Sequence, residues 1–588
     1  MSENLIKQDA DMEGIISDDQ AKKERIKKYL LLGGIFAVVL IIIIIIVIVI
    51  STSSKEEDRE EGKEKDKDEK SPEIPNLEHE IFTINFPDDI IYIGSTYNHQ
   101  GQIYLIYQKK PVTDPNIYYF GITNEKGEIL KEVLEIKKTD LADGTYIQRM
   151  SPFTDGKRVF IGGTIIECTK QFLECDDAKI INVKFPEELV NMENLLYVFT
   201  EPIINYGNKY IFWSTFDTSM NIINFVGELK REENEYIIEN TKGLSNYFYD
   251  LYDKDKDTYF LPKILRTGPI KQVVNGGEGL TIGGFLNYGL RKGIYQPLSN
   301  ESLSQLTFFE GYDETTAISP DLKLACVMTT RFSNHTSFEI VGLIPTPYSI
   351  LTSYLLSTHI MKYSIGNIRM RSNIKGNIGP TLVDLKKVYE NPNYTGINLN
   401  KDDLWNFYGF ISWSPDGKKI MFDEADKEVK NRRCRIVNLT HYNPDKIELK
   451  DNFKNNIPYA RSIEESINLH LDYPINIQHN GTSGYLTIFQ NKTKCEIKYS
   501  NYTEDNEIFY NGTYTYQKFQ EQKYVIFEVN ITSEGKKKGF CQYRLWFDLN
   551  NNIFLFDESD GNKKSYGGCE YEGRKLNVDI YQYEKIEN

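Results

Sequence analysis

The chain has 588 residues, 40% hydrophobic and 26% charged, the make-up of a folded protein with more than one domain. Its net charge of -16 argues against nucleic acid as a partner, because phosphate binding needs a basic face. With 40 tyrosines, 31 phenylalanines and abundant isoleucine, the composition favours strands over helices.

Residues 29–50, YLLLGGIFAVVLIIIIIIVIVI, carry no charge. As a helix at ~1.5 Å per residue they reach roughly 33 Å, enough to cross a bilayer core. The preceding KKERIKK (22–28) is basic, whereas the following KEEDREEGKEKDKDEK (55–70) is dominated by acids. The positive-inside rule then predicts a type II anchor. The expected order is a cytosolic tail 1–28, a signal-anchor helix 29–50, a disordered charged stalk 51–78, and an extracellular or lumenal remainder. Asn-x-Ser/Thr sequons at Asn300, Asn334, Asn393, Asn438, Asn480, Asn491, Asn501, Asn511 and Asn530 all follow the span, which predicts an N-glycosylated ectodomain.

Seven cysteines also follow the span. Cys168 and Cys175 are close enough in sequence for a hairpin to bridge them, and a disulfide is expected there. One further bridge is expected among Cys495, Cys541 and Cys569 in an oxidising compartment, with the pairing left open. No Cys-x-x-Cys or Cys/His cluster suggests zinc.

From residue 79 to about 460 the pattern is short apolar runs between turn signals. Two stretches, 186–199 and 381–390, have helical periodicity. Three others repeat one theme: MSPFTDGKRVFIGG (150–163), ISPDLKLACVMTT (318–330) and WSPDGKKIMFDEA (413–425). Each has Ser-Pro, then Asp within three residues, then an apolar strand. Weaker relatives begin at Gly101, Gly207 and Gly277, and the spacing predicts a diverged unit near 350–400. In the clearest copy Pro415 presets φ, Asp416 bonds back to the local backbone and Gly417 accepts positive φ, so the stretch reads as a structural turn. Such spacing predicts a β-propeller of four-stranded blades, about seven of them, within a range of six to eight.

The string SWSPDGKKIMF resembles the repeat of TolB-type β-propellers, in which a Ser-Pro-Asp-Gly hairpin joins two strands of each blade. The same repeat occurs in the N-terminal propeller of dipeptidyl peptidase IV-like proteins, which are also type II membrane glycoproteins. That resemblance covers residues 79–460 and implies a fold, not a substrate. The peptidases carry an α/β-hydrolase domain after the propeller, with a nucleophile in Gly-x-Ser-x-Gly. Here GTSGY (481–485) has the wrong spacing, and no strand–helix alternation surrounds the last histidine, His479. The family's catalytic residues therefore have no matching positions.

Residues 461–588 read as strands throughout and predict a glycosylated C-terminal β-sandwich-like domain. Asp253, Asp255 and Asp257 begin like a calcium loop, but Thr258 and Ile264 stand where Gly and Glu belong, so a solvated charged loop is the better reading. No catalytic residue, cofactor or other metal is expected. The whole is thus an all-β ectodomain on one N-terminal transmembrane helix, expected to act as a binding, adhesion or scaffolding module for a protein or glycan ligand. Two alternatives are a propeller hydrolase or lyase using channel carboxylates, and a peptidase-like subunit without its catalytic domain.

Overall fold

The computed structural model describes residues 77–578 except 143–146, 193–194, 218–221, 246, 249–251, 254–257, 260–263, 266–267, 285–291, 301, 309–311, 330, 333–378, 392–393, 401, 403–404, 427–430, 447–449, 468–474, 492, 520–522, 551–552 and 557–563. The predicted tail, anchor and most of the stalk, the sequons Asn334 and Asn393, and Asp255 and Asp257 lie outside the described residues. Among the described residues no helix is long and apolar enough to cross a membrane.

Six four-stranded antiparallel units follow one another along residues 79–439. Strand β1 (His79–Thr83) is set aside for the last of them. Blade 1 is β2 (Ile90–Tyr97), β3 (Ile103–Lys109), β4 (Ile117–Thr123) and β5 (Ile129–Lys137). Blade 2 is β6 (Met150–Pro152), β7 (Arg158–Ile161), β8 (Thr164–Glu167) and β9 (Lys179–Lys184). Blade 3 is β10 (Leu195–Ile204), β11 (Tyr210–Asp217), β12 (Ile222–Arg231) and β13 (Glu235–Gly243). Two short ladders, from β14 (Tyr247–Phe248), β15 (Tyr252–Asp253), β16 (Thr258–Tyr259) and β17 (Ile264–Leu265), precede blade 4. Blade 4 is β18 (Ile270–Val274), β19 (Gly279–Gly284), β20 (Lys292–Pro297) and β21 (Ser304–Gln305). Blade 5 is β22 (Asp313–Ile318), β23 (Leu324–Thr329), β24 (Gly379–Asp384) and β25 (Ile397–Asn398). Blade 6 takes β26 (Trp405–Trp413), β27 (Lys419–Asp426) and β28 (Arg432–Leu439) from one end of the region and β1 from the other.

The first strands β2, β6, β10, β18, β22 and β26 touch in that cyclic order, and β26 returns to β2. That closed ring is a β-propeller. It is fastened where β1 pairs antiparallel with β28, from His79 opposite Leu439 to Thr83 opposite Arg435. A second fastening is unusual: outer strands β13 and β9 pair in parallel, so blades 2 and 3 share one eight-stranded sheet.

Burial explains why these strands were hard to phase from sequence. The strands β19, β22, β23 and β24 are buried at every residue, since neighbouring blades cover both faces. Outer strands such as β9 alternate between buried and accessible positions, as a half-covered strand must. The predicted helix at 186–199 shrinks to Glu187–Val190, and its second half is β10. At 381–390 the first half is β24, and only Leu385–Glu390 is helical, capped by the Asp384 carboxylate on the Lys386 and Lys387 N–H groups. No separate unit forms near 350–400 among the described residues. There β24 pairs directly with β23, and β25 pairs with β24 to complete blade 5.

All six turn signals, strong and weak, fall at one structural place: the turn from the first to the second strand of each blade. In blade 6 the Gly417 N–H donates to the Ser414 carbonyl at 2.9 Å, with Gly417 at φ +69°. The Ser414 hydroxyl accepts the Lys419 N–H at 2.9 Å. Blade 5 repeats this with Ser319 and the Leu324 N–H at 3.0 Å, but puts Leu322 at φ +63° where blade 6 has glycine. In blades 1 and 3 the side-chain oxygens of Asn98 and Asn205 do the serine's work, accepting the Gln102 N–H at 2.8 Å and the Tyr210 N–H at 2.9 Å. Blade 2 corrects the sequence alignment. Its turn is Phe153–Gly156, while Ser151 and Pro152 lie inside β6. The Ser151 hydroxyl instead accepts the Ile204 N–H of blade 3 at 2.8 Å.

The C-terminal region is one continuous antiparallel sheet, not two stacked sheets. Its strands are β29 (Ile475–Asn480), β30 (Ser483–Gln490), β31 (Lys494–Thr503), β32 (Ile508–Phe519), β33 (Tyr524–Gly535), β34 (Gly539–Asp548), β35 (Ile553–Phe554), β36 (Tyr566–Tyr571) and β37 (Arg574–Asn577). Inner-face residues from β30 through β36 make one apolar cluster. Alternation along the long strands, such as Phe527, Val529 and Ile531 between the exposed Glu528 and Asn530, directs the apolar residues to one face.

Candidate functional site: the propeller channel

All six blades line one cavity of about 590 Å³ in the centre of the ring, opening among the first-to-second-strand turns. Such a volume lies within the range of small-ligand sites. Asn98, His99, Tyr206, Asn275, Pro320 and Pro415 stand around this opening.

A layer of charged and aromatic side chains crosses the channel below the mouth. Arg149 enters at β6, Glu201 lies on β10, Lys271 on β18, Glu314 on β22 and Phe410 on β26. The Glu201 Oε1 atom accepts from Arg149 Nη1 at 3.0 Å and from Lys271 Nζ at 2.6 Å. Lys271 Nζ also reaches Glu314 Oε1 at 3.2 Å, and the Tyr312 hydroxyl donates to Glu314 Oε2 at 2.7 Å. The Arg149 guanidinium sits 4.3 Å over the Phe410 ring, which extends the chain of contacts to blade 6. Lys271 and Glu201 are almost fully buried, so their attraction acts with little screening by water. Two positive and two negative groups leave the layer with no net charge.

Two features of Glu201 set it apart. Its second oxygen, Oε2, is buried and has no hydrogen-bond partner. Its backbone lies at φ +50°, a left-handed conformation that side-chain-bearing residues rarely adopt. At the mouth His99 meets the Tyr206 ring edge-on, with centroids 5.4 Å apart.

Sequence reading did not single out Arg149, Glu201, Lys271, Glu314 or Phe410. A positional signal existed. Arg149, Glu201, Lys271 and Phe410 each stand four residues before the residue that ends their inner strand's run into the turn, namely Phe153, Asn205, Asn275 and Ser414. Period-two alternation keeps that position on the channel face. Glu314 is five before Ser319, and the ladder between β22 and β23 is irregular between Asp313 and Thr316.

Other sequence-derived positions are dispersed. Pro415 and the Ser414–Gly417 turn stand at the channel mouth, and Asp416 accepts the Lys418 N–H at 3.1 Å. Cys168 is joined to Cys175 in blade 2, and Cys541 to Cys569 across β34 and β36, leaving Cys495 free and buried. Asp253 pairs with Thr258 across a two-residue ladder. The one group of potential metal ligands among the described residues is Cys168, Cys175 and Asp177, and its two sulfurs are already in a disulfide. Of the sequons, Asn300, Asn480, Asn501 and Asn530 are exposed, while Asn438, Asn491 and Asn511 are half-buried.

A separate buried cluster lies where blade 6 meets blade 1. The Tyr92 hydroxyl donates to Asp423, and Ser95 Oγ lies 3.3 Å from Cys434 Sγ. Burial pushes the Asp423 carboxyl up to about 7, opposed by the Tyr92 hydroxyl and the Arg432 guanidinium.

No family model matches the chain, and no curated protein matches it. Solved structures similar to it include a putative TolB from Agrobacterium tumefaciens, 11% identical, covering 53% of this chain and 79% of that one, with a TM-score of 0.29. TolB from Acinetobacter baumannii is 11% identical, covering 62% and 67%, with a TM-score of 0.28. A GH74 enzyme from Niastella koreensis is 9% identical, covering 81% and 73%, with a TM-score of 0.26.

Proposed function

We propose that this chain is a single-pass type II membrane glycoprotein whose propeller is a binding, adhesion or scaffolding module. The observation that supports this most is the cavity to which every blade contributes and whose mouth is lined by the turns of blades 1, 3, 4, 5 and 6. Rigid strands fix the walls, and the turns can vary without cost to the ring, which is how scaffolds carry recognition. The apolar run 29–50, its basic flank and the sequons support the anchored, glycosylated part of the reading. The resemblance to dipeptidyl peptidase IV-like proteins is part of this reading and rests on the Ser-Pro-Asp-Gly repeat and on the order of apolar run and propeller.

The test compares partners captured by the full chain with those captured by a mouth-blocked variant, Leu322→Arg, whose side chain lines the opening. Partners lost on blocking support the reading. Identical captures from both, or none from either, overturn it. Glycosidase treatment of the cell-derived chain should increase its gel mobility, and unchanged mobility removes the glycoprotein claim.

The glutamate pair favours one second reading, a channel hydrolase or lyase, because Glu201 on β10 and Glu314 on β22 share the buried ammonium of Lys271, carried by β18 between them. Turnover of glycoside or ester substrates that is abolished by Glu314→Gln would establish it. Absence of turnover across such a panel would remove it.

A further inference from the structure

We infer that the channel takes a neutral, polyhydroxylated ligand, a saccharide, held by Glu201 and Arg149 against Phe410 and Tyr206. This inference rests on the binding reading above and narrows the ligand to one chemical class.

Charge comes first. Arg149 and Lys271 are matched within the layer by Glu201 and Glu314. An anion would find the two cations of this layer already paired, with Lys446 exposed on the lining, and a cation would meet Arg149 and Lys271 beside the layer's two carboxylates. Burying a net charge there is costly, whereas a neutral ligand adds none. Hydrogen bonding comes second. One unmet demand in this layer is for a donor to an acceptor, Glu201 Oε2, in a carboxylate whose other oxygen already holds two cations. An unsatisfied buried carboxylate oxygen is expensive, and because Glu201 lines the cavity, a small turn of its side chain toward the lumen would let a ligand hydroxyl supply the missing donor. Hydroxyls also accept, so the same ligand could take a bond from the Arg149 guanidinium, whose side chain is 23% exposed. Shape comes third. Phe410 and Tyr206 bring aromatic surface to the lining, and the C–H faces of a sugar ring match such surface. The positive φ of Glu201 fixes this carboxylate in a position that the chain does not adopt by preference, as happens where function requires placement.

Most other polar groups around the cavity are already engaged, which makes the assignment specific. Gln272 exchanges both of its bonds with the Ile318 backbone, Trp413 Nε1 donates to the Ala317 carbonyl, and Ser412 accepts the Tyr97 N–H.

The experiment uses the full chain purified in a sugar-free zwitterionic detergent. Saturation-transfer NMR is run with cellobiose, lactose, maltose and N,N′-diacetylchitobiose, and with glucuronate as an acidic comparator. At least one neutral disaccharide is expected to bind. Glu201→Gln should weaken it at least tenfold, and Phe410→Leu, which keeps an apolar side chain in place should Glu201→Gln fail to fold, should weaken it severalfold. Binding by none of the four disaccharides, binding by glucuronate alone, or neutral binding unchanged in the folded variants would each overturn the inference. If sugars fail while Leu322→Arg still abolishes partner capture, the saccharide class falls and the binding module stands. If both fail, both readings fall.

Discussion

The propeller and the C-terminal sheet solve the same problem, burying strand faces, in opposite ways. The propeller divides its apolar surface among blade interfaces and leaves its axis to charged side chains, Arg149, Glu201, Lys271 and Glu314. The C-terminal sheet puts one face into one cluster, built from valine, isoleucine, phenylalanine and tyrosine. The ring is closed without a covalent bond, by β1 on β28, whereas a disulfide crosses β34 and β36. A ring with an axis leaves space that side chains cannot fill, so polar groups there are kept by their mutual pairing. A sheet with a single core has no such vacancy. The contrast leaves the propeller with a polar axis and a cavity, and the C-terminal sheet with one apolar core.

The largest way to break this comparison is Lys271→Met. It strands Glu201 and Glu314 as buried carboxylates without their shared cation, and should cost about 3–5 kcal/mol. Hydrogen exchange should rise across β10, β18 and β22 and stay unchanged in β29–β37. A loss spread evenly over both regions would erase the distinction.

Asp423 gives the propeller a pH dependence of nearly the same size. Below pH ~4 the carboxyl is protonated in both states. Above that the unfolded chain ionises, while the folded carboxyl keeps its proton to about 7. Stability should therefore fall as pH rises from about 4 to about 7, by roughly 3–4 kcal/mol for this group. Chemical denaturation across that range should show a flatter profile for Asp423→Asn. A stability difference between wild type and Asp423→Asn that stays constant from about pH 4 to about pH 7 would contradict the burial argument.

The disulfide sharpens the contrast from the other side. Cys541 and Cys569 are 28 residues apart, and loop-closure entropy assigns such a bridge about 3.5 kcal/mol. Replacing both with alanine should loosen β34–β37 alone, read by hydrogen exchange of the same peptides. The smallest expected effect is a gain. Leu322→Gly relieves the left-handed strain that Gly417 avoids in blade 6, and should stabilise the propeller by up to about 1 kcal/mol in thermal unfolding.

Much of the architecture was legible because turns and strands leave local marks. The six turn signals map one to one onto six blades, including the three that lacked Ser-Pro. Blade number was harder to read. Spacing pointed to about seven, and the described strands give six, because residues 330–378 separate two adjacent strands of blade 5. A long insertion inside a repeat looks the same in sequence as a diverged repeat. The C-terminal strands were visible through alternation, yet one sheet and two stacked sheets share that pattern, so their assembly was not.

The sequence by itself determined the strand-and-turn rhythm, the structural role of Pro415, Asp416 and Gly417, and the apolar run at 29–50, because each depends on neighbouring residues only. Only the tertiary structure decided the channel. Arg149, Glu201, Lys271, Glu314 and Phe410 span more than 260 residues of chain and meet only because a ring brings its first strands to one axis. No local pattern records which charge will face which. The pairing that neutralises the layer, and the one carboxylate oxygen it leaves unmet, exist only once the ring has closed.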